Sequence, residues 1–219
     1  VYQSIVSNID KKVEKYECLA RLREDNKLLS PFYFLELSKT NKQYLRISKM
    51  IIRKSFDTLS KNRVPFSLNL TIEDILNDNM KDFIYEMLEV YKIGELITFE
   101  IVESESIKNF NKVLAFIQKV KAYNCKIAID DFGTGYSNFE YLIKLKADYI
   151  KIDGSLIRNI TVDPISEKVV KNLALFAKDL GMKTIAEYVE NESIFNKVKE
   201  LGIDYSQGYY FSEPNVNLL

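Results

Sequence analysis

Acidic and amidic side chains repeatedly follow short apolar runs in this sequence. Asn69 comes after Phe66-Ser67-Leu68, Glu100 after Ile97-Thr98-Phe99, and Asp130-Asp131 after Ile127-Ala128-Ile129. Glu187 follows Thr184-Ile185-Ala186, Gln207 follows Ile203-Asp204-Tyr205, and Lys151 and Asp153 end the run that begins at Tyr149. Glu17 lies within the apolar stretch from Val13 to Leu22. Packed around one place, so many carboxylates repel one another unless cations join them. Ligand sets built from oxygen favour hard ions, Mg²⁺ or Mn²⁺, over zinc. The chain has no histidine, and its two cysteines, Cys18 and Cys125, form no Cys-x-x-Cys pair, so a zinc or imidazole centre has nothing to be built from.

Taken singly, each of these residues has an ordinary structural role open to it. Asp130-Asp131 reads as a turn or a helix N-cap before Phe132. Glu100 or Glu187 alone is a solvated loop residue, Asn69 a turn residue, Lys151 a surface lysine, and Arg21 half of a surface ion pair. Chemistry follows only if the fold brings them together.

The elements that would do so are legible in the periodicity. Met80, Phe83, Ile84, Met87, Leu88 and Tyr91 recur at helical spacing, as do Ile107, Phe110, Val113, Leu114, Ile117 and Val120. Shorter stripes predict helices through Tyr44, Ile47 and Ile51, through Val169, Leu173, Phe176 and Leu180, and through Ile194, Phe195, Val198 and Leu201. Between them lie strand candidates at Phe66 to Leu70, Leu96 to Val102, Lys126 to Ile129, Tyr149 to Ile152, Lys183 to Ala186 and Tyr209 to Phe211. This alternation predicts right-handed βαβ crossovers, and at 219 residues a closed (β/α)8 barrel of the TIM type rather than an open sheet. In such a barrel chemistry gathers at the carboxyl ends of the strands, where the polar residues above fall. The opening stretch differs: Tyr2 to Val6 and the run from Val13 flank a polar Asn8-Ile9-Asp10-Lys11-Lys12 turn, which predicts a hairpin and an antiparallel first strand. The aromatic clusters Phe32-Tyr33-Phe34 and Tyr209-Tyr210-Phe211 read as core.

No linker or repeat divides the chain, so residues 1–219 are expected to form one domain, excised from a longer protein because the sequence starts in a strand without Met. The 31 basic and 31 acidic residues cancel, which argues against a DNA or RNA polymer as partner. No apolar run is long enough to span a bilayer and no export signal opens the chain, so this segment is expected to be cytoplasmic, without membrane contact of its own. Attachment to a larger membrane-bound sensor is compatible with that expectation.

At these residues the sequence resembles the EAL family of cyclic di-GMP phosphodiesterases. Glu17-Cys18-Leu19-Ala20-Arg21 resembles the E-A-L-x-R signature, and Tyr2-Gln3-Ser4-Ile5 stands where the family has Q-P-I. Asn69-Leu70-Thr71 matches N-x-S, Glu100-Ile101-Val102-Glu103 matches E-x-T-E, and the most specific match is Asp130-Asp131-Phe132-Gly133-Thr134-Gly135-Tyr136-Ser137. Lys151-Ile152-Asp153-Gly154-Ser155, Ala186-Glu187-Tyr188-Val189-Glu190 and Gln207-Gly208-Tyr209 follow in the family's order.

The resemblance implies two Mg²⁺ or Mn²⁺ ions, one held by Glu17, Asn69, Glu100 and Asp130, the other by Asp130, Asp131 and Glu187. Such a pair suits phosphodiester hydrolysis because it lowers the pKa of a water and offsets charge on a nonbridging phosphate oxygen. It further implies that Lys151 orients the nucleophile, that Gln3 and Arg21 grip phosphate oxygens, and that Asp153 and Gln207 complete the ligand network. Two readings are open for Tyr188, a face for a guanine base or a core-packing ring. The resemblance implies too that Glu103 anchors the loop from Phe132 to Asn138, which links a homodimer interface to the metal ligands, and that Glu190 is a supporting carboxylate, for which a solvated helix-start residue is the alternative reading. The implied reaction converts cyclic di-GMP to linear 5'-pGpG. The alternative is a catalytically silent receptor of cyclic di-GMP, or a partner-binding module. Four positions depart from the family pattern: Cys18 for Ala, Ser4 for Pro, Val102 for Thr and Tyr188 for Gly. Ser4 is expected to free the backbone beside Gln3, and Tyr188 to bring bulk next to Glu187.

Overall fold

Alternation along each strand decides which side chains enter the barrel and which meet the helices. The computed structural model describes residues 1–25, 27–102, 109–133 and 139–218, without the side chains of residues 139–141. In chain order the elements are β1 (Tyr2–Ser7), β2 (Val13–Cys18), β3 (Leu22–Glu24), β4 (Lys27–Leu29), α1 (Leu35–Thr40), α2 (Tyr44–Asn62), β5 (Phe66–Leu70), α3 (Ile72–Leu76) and α4 (Asp78–Tyr91). They continue with β6 (Ile97–Val102), α5 (Phe110–Lys121), β7 (Lys126–Phe132), α6 (Phe139–Leu145), β8 (Tyr149–Ile152), α7 (Gly154–Ile157), α8 (Pro164–Asp179), β9 (Lys183–Ala186), α9 (Glu192–Glu200) and β10 (Tyr205–Ser206). The barrel closes in the order β1-β10-β9-β8-β7-β6-β5-β2, while β3 and β4 form a separate hairpin. As expected of a modified (β/α)8 barrel, β1 runs antiparallel to both its neighbours, β2 and β10, and the other barrel pairs are parallel.

Two apolar clusters follow from the alternation. The larger lies between the sheet and the helices, where Phe66, Leu68, Phe99, Ile127, Ile129 and Ile150 pack against Phe56, Phe116 and their neighbours. The smaller, Ile5, Ala128, Tyr149 and Ile185 with Tyr205 against it, fills the barrel itself. Residues two further along the same strands are Gln3 (on the reversed β1), Asp130, Lys151, Glu187 and Gln207. An apolar layer thus sits directly beneath a polar one.

The structure corrects three expectations. Tyr209 to Phe211 is a turn, and the closing strand is Tyr205–Ser206. The reason is Gly208, whose backbone lies so close to Val189 that an added Cβ would fall 2.2 Å from the Val189 carbonyl oxygen. The chain turns there, Phe211 N–H donating to Gly208 O, and the Tyr210 and Phe211 rings pack on Phe195. Second, α8 buries Ser166, Val170, Ala174 and Ala177, leaving Val169 and Leu180 more than a third exposed. Small residues on the inner face let this helix approach the sheet, so of the predicted stripe only Leu173 and Phe176 pack, partly buried, against the core. Third, Phe32 and Tyr33 are exposed at 87% and 68%, so that cluster is not core. Among the described residues no helix is long and apolar enough to cross a membrane.

Candidate active site

The polar layer converges on one lysine. Lys151, 1% exposed, leaves β8 toward the barrel axis, and its Nζ lies 2.7 Å from Glu100 Oε2, 2.9 Å from Asp130 Oδ1, 2.9 Å from Glu187 Oε1 and 3.5 Å from Glu17 Oε2. Four strands, β2, β6, β7 and β8, and the residue after β9 supply this constellation. Glu17 is held further by Asn69 Nδ2, which donates to Oε1 at 2.7 Å, and by Gln207 Nε2, which donates to Oε2 at 2.6 Å. Gln207 Nε2 also lies 3.2 Å from Gln3 Oε1, and Gln3 Nε2 donates to Ser212 O at 3.1 Å.

Consecutive residues on a strand ordinarily face opposite ways, so Asp130 and Asp131 could not both reach the mouth from a regular β7. The ladder between β7 and β8 slips between Ile129 and Phe132, inserting one extra residue, and Asp131 adopts φ +56°. This bulge turns the second aspartate back toward the first. Carboxylate oxygens of Asp130, Asp131 and Glu187 consequently lie within 4.8 Å of one another.

Electrostatics follow from burial. Burial pushes Glu100 up to about 7 and Glu187 up to about 8, Lys151 pulling both down while neighbouring carboxylates push them up. Asp131 is also raised, first by burial and then by Asp130. Burial works on Glu17 in the same sense, but Lys151 and the amides of Gln207 and Asn69 outweigh it and hold this carboxyl below its usual range. For Lys151, burial opposes the charge and the carboxylates, led by Asp130 and Glu100, overcome it, so the ammonium is held well above the lysine range. One ammonium therefore faces four carboxylates. That deficit, an all-oxygen donor set, and a buried Glu100 Oε1 with no hydrogen-bond partner among the described residues fit a hard divalent cation.

Above this layer opens a cleft of about 490 Å³, bordered by Gln3, Glu17, Arg21, Asp130, Asp131, Lys151, Asp153, Tyr188, Glu190 and Gln207. Arg21 donates to its neighbour's carbonyl, Ala20 O, at 2.8 Å. Asp153 Oδ1 accepts from Ser155 N–H, capping α7. Glu190 points at Arg158, Nε to Oε1 3.9 Å, and not at the carboxylate group. Glu100 is sealed beneath the cleft, and Asn69 stands at its side. Glu103 lies outside the described residues, as do positions 134–138 of the loop.

Sequence reasoning missed Arg158, which borders the cleft, and Ser212, which anchors its rim. Ser4 does not leave the backbone beside Gln3 loose: Ser4 N–H donates to Ser212 Oγ at 3.3 Å, a bond proline cannot make, and the two hydroxyls lie 2.6 Å apart. Tyr188 has φ +54°, which accounts for glycine as the usual residue there. Cys18 faces away from the cleft and burial pushes its thiol up to about 12, so it packs as the alanine would.

Comparison with known proteins agrees with this geometry. The EAL domain profile matches residues 1–214. A cyclic di-GMP phosphodiesterase of Shewanella oneidensis, PdeB, is 30% identical over 210 residues, 93% of this chain and 24% of that protein. Another, PdeF of Escherichia coli, is 34% identical over 206 residues, 91% of this chain and 28% of that one. The chain thus spans about a quarter of the length of these curated relatives. Among solved structures, an EAL domain protein from Listeria monocytogenes superposes with a TM-score of 0.84 at 28% identity, covering 97% of this chain and 86% of that one. With the profile matched over nearly the whole chain and the polar layer seated where its motifs fall, the chain belongs to the EAL domain family.

Proposed function

We propose that this chain hydrolyses cyclic di-GMP to linear 5'-pGpG with the help of two divalent cations, Mg²⁺ or Mn²⁺. One observation carries the reading: Asp130, Asp131, Glu187, Glu100 and Glu17 remain as oxygen donors around a single buried lysine, an arrangement costly to keep without a cation and a substrate. The relatives' names, cyclic di-GMP phosphodiesterases, supply the substrate class. Glu17, Asn69, Glu100 and Asp130 would hold one ion, and Asp130, Asp131 and Glu187 the other. Bound there, the ions would acidify a water and neutralise phosphoryl charge.

The protein's own groups do the rest. Lys151, fixed by four carboxylates, adds positive charge beside the phosphoryl group, where negative charge grows in the transition state. Gln3 and Gln207 present amides at the rim, and Arg21 its guanidinium fork, to phosphate oxygens. The silent-receptor reading has no support from the site, because no candidate ligand position has lost its oxygen donor. We place the segment in the cytoplasm. We also propose a homodimer that meets near residues 132–138 and α6, with Glu103 holding the loop. Sedimentation with and without Mg²⁺ and nucleotide tests this part, and an unchanged monomer fraction ends it.

Incubating the purified chain with cyclic di-GMP and resolving the products by chromatography tests the main reading. Linear dinucleotide should accumulate with Mg²⁺ or Mn²⁺, poorly with Ca²⁺, whose longer bonds suit a paired site badly, and not at all with chelator. Full activity in excess chelator would remove the metals from the account.

A further inference from the structure

Among the described residues Tyr188 is the only aromatic with a positive φ, +54°, a conformation that bulky side chains seldom adopt and that costs free energy. Something makes that strained tyrosine worth holding. Its ring lies against Gly154, where an added Cβ would come within 2.2 Å of Tyr188 Cδ2, so the first residue of α7 has no room for a side chain. On the ring lies the guanidinium of Arg158, its central carbon 4.0 Å from the ring centroid. Beside it, Glu190 Oε1 is 3.9 Å from Arg158 Nε.

Arg158 is thus clamped from below by an aromatic face and from one edge by a carboxylate, although its side chain is half exposed. Surface arginines rarely need such fixing, since an exposed ion pair contributes little. The clamp leaves the two terminal nitrogens: among the described residues the Arg158 side chain has no other hydrogen bond or ion pair. Arg158, Tyr188 and Glu190 border the same cleft as Asp130, Asp131 and Lys151.

We propose that Arg158 recognises the guanine base of the substrate, an inference that rests on the cyclic dinucleotide reading above. Guanine presents O6 and N7 as adjacent acceptors, which the forked N–H groups of arginine match, whereas adenine puts an amino donor in place of O6. The planar guanidinium can also take a base stacked on its open face. Tyr188 is then the support of the reader rather than the surface the base touches, since Arg158 covers its ring. Glu190 places a negative charge beside Nε.

The test compares kcat/KM for cyclic di-GMP and cyclic di-AMP, with Mg²⁺, in the parent chain, Arg158→Ala and Arg158→Lys, each checked for a parent-like thermal melt. The parent should prefer the guanine substrate, and both variants should lower that preference about tenfold or more, chiefly through KM for cyclic di-GMP. Lysine keeps the charge but neither the plane nor the fork, so restoration by Arg158→Lys would show a charge effect and overturn the inference. Preference kept within twofold in Arg158→Ala overturns it as well. If Arg158→Ala fails to fold, Arg158→Lys and Arg158→Gln decide by the same ratio. A parent that neither binds nor cleaves cyclic di-GMP removes the function reading and this inference together, while a guanine-preferring parent with indifferent variants removes only the inference.

Discussion

Lys151 and Lys15 are both buried in the barrel, 1% and 2% exposed, one in the polar layer and the other in the layer beneath it. Lys151 touches four carboxylates and is held well above the usual lysine range, because Asp130, Glu100, Glu17 and Glu187 overcome the cost of burial. Lys15, two residues before Glu17 on β2, meets a hydroxyl and a ring: its Nζ donates to Thr98 Oγ1 at 3.3 Å and lies 3.7 Å from the centroid of Tyr149. Burial pushes it down to about 8, with Glu100 opposing and Lys151 and Lys126 adding to the fall. The same residue type, one layer apart, is thus pinned as a cation in one place and close to shedding its proton in the other. What separates them is the number of carboxylates within reach, and the mouth is where the fold concentrates them.

The largest effect should come from removing the pinned lysine. Lys151→Met leaves four carboxylates without their common cation, so turnover of cyclic di-GMP should fall by about a hundredfold or more. Without metal the protein should also lose about 3 kcal/mol of stability, since breaking one side of a buried ion pair strands the other. Saturating Mg²⁺ should restore much of the stability but not the rate. Near-parent turnover would end the role assigned to Lys151.

A second effect is set by the same carboxylates and concerns pH. Glu100 at about 7 and Glu187 at about 8 keep protons in the folded state that the unfolded chain releases near 4.5. The folded state binds more protons across that window, so stability falls as pH rises from about 4.5 to about 8. Glu17, held low, gives stability that is lost only as pH falls below its ordinary value; Lys151, held high, gives stability fully present below 10.5. Neither bends the profile inside the window. Asp131, raised by burial and Asp130, adds to the slope at its acid end. Urea melts of metal-free protein between pH 5 and 8 should show a decline of several kcal/mol, and Mg²⁺ should flatten it by replacing the protons. A metal-free profile that rises with pH would contradict this account of the mouth.

The contrast between the lysines also shows what sequence can and cannot reveal. The barrel, the antiparallel first strand and the strand ends at Asn69, Glu100 and Glu187 are readable because a period-two run with a polar last residue fits a half-buried strand and little else. Lys15 carries the same signal, sharing a strand face with Glu17, yet a lysine before a glutamate reads as solvated surface unless the strand is known to be inside a barrel. Asp131 is marked in the sequence by its place after the run to Ile129, but how it turns to join Asp130 is not, since alternation alone points it outward and the bulge that returns it depends on pairing with β8. Arg158 carries no signal: its value comes from Tyr188 and Glu190, about thirty residues away in the chain and adjacent only once β8 and β9 pair side by side. Tyr209 to Phe211 misleads because aromatic content stands for both strand and packed turn.

Replacing the lower lysine should act in the opposite sense to replacing the upper one. Lys15 has a folded pKa of about 8 against an ordinary 10.5, so its buried charge costs free energy below about 8, and stability rises as pH goes from about 8 to 10.5. Lys15→Met fills similar volume without charge and should raise stability at pH 7 by about 1 to 3 kcal/mol, a gain that shrinks by pH 10. Chemical denaturation at both pH values measures it. A loss at pH 7 comparable to that of Lys151→Met would mean that the two lysines do the same work.

The smallest effect concerns what holds Lys15 in place. Tyr149, 4% exposed, offers it the face of the ring, while the phenol oxygen accepts from Lys126 Nζ at 3.2 Å on the other side. Attraction between an ammonium and a ring face comes from the π electrons and survives loss of the hydroxyl. Tyr149→Phe should therefore cost no more than about 1 kcal/mol, the net worth of one partly exposed hydrogen bond. In a double-mutant cycle with Lys15→Met the coupling should stay within about 0.5 kcal/mol, because the hydroxyl and Lys15 share no contact. Turnover should match the parent, since Tyr149 lies in the layer beneath the polar one and does not border the cleft. Coupling well above about 1 kcal/mol would show that Lys15 depends on the Tyr149–Lys126 hydrogen bond, and the lower lysine would then belong, like the upper one, to a polar network rather than to the packing beneath it.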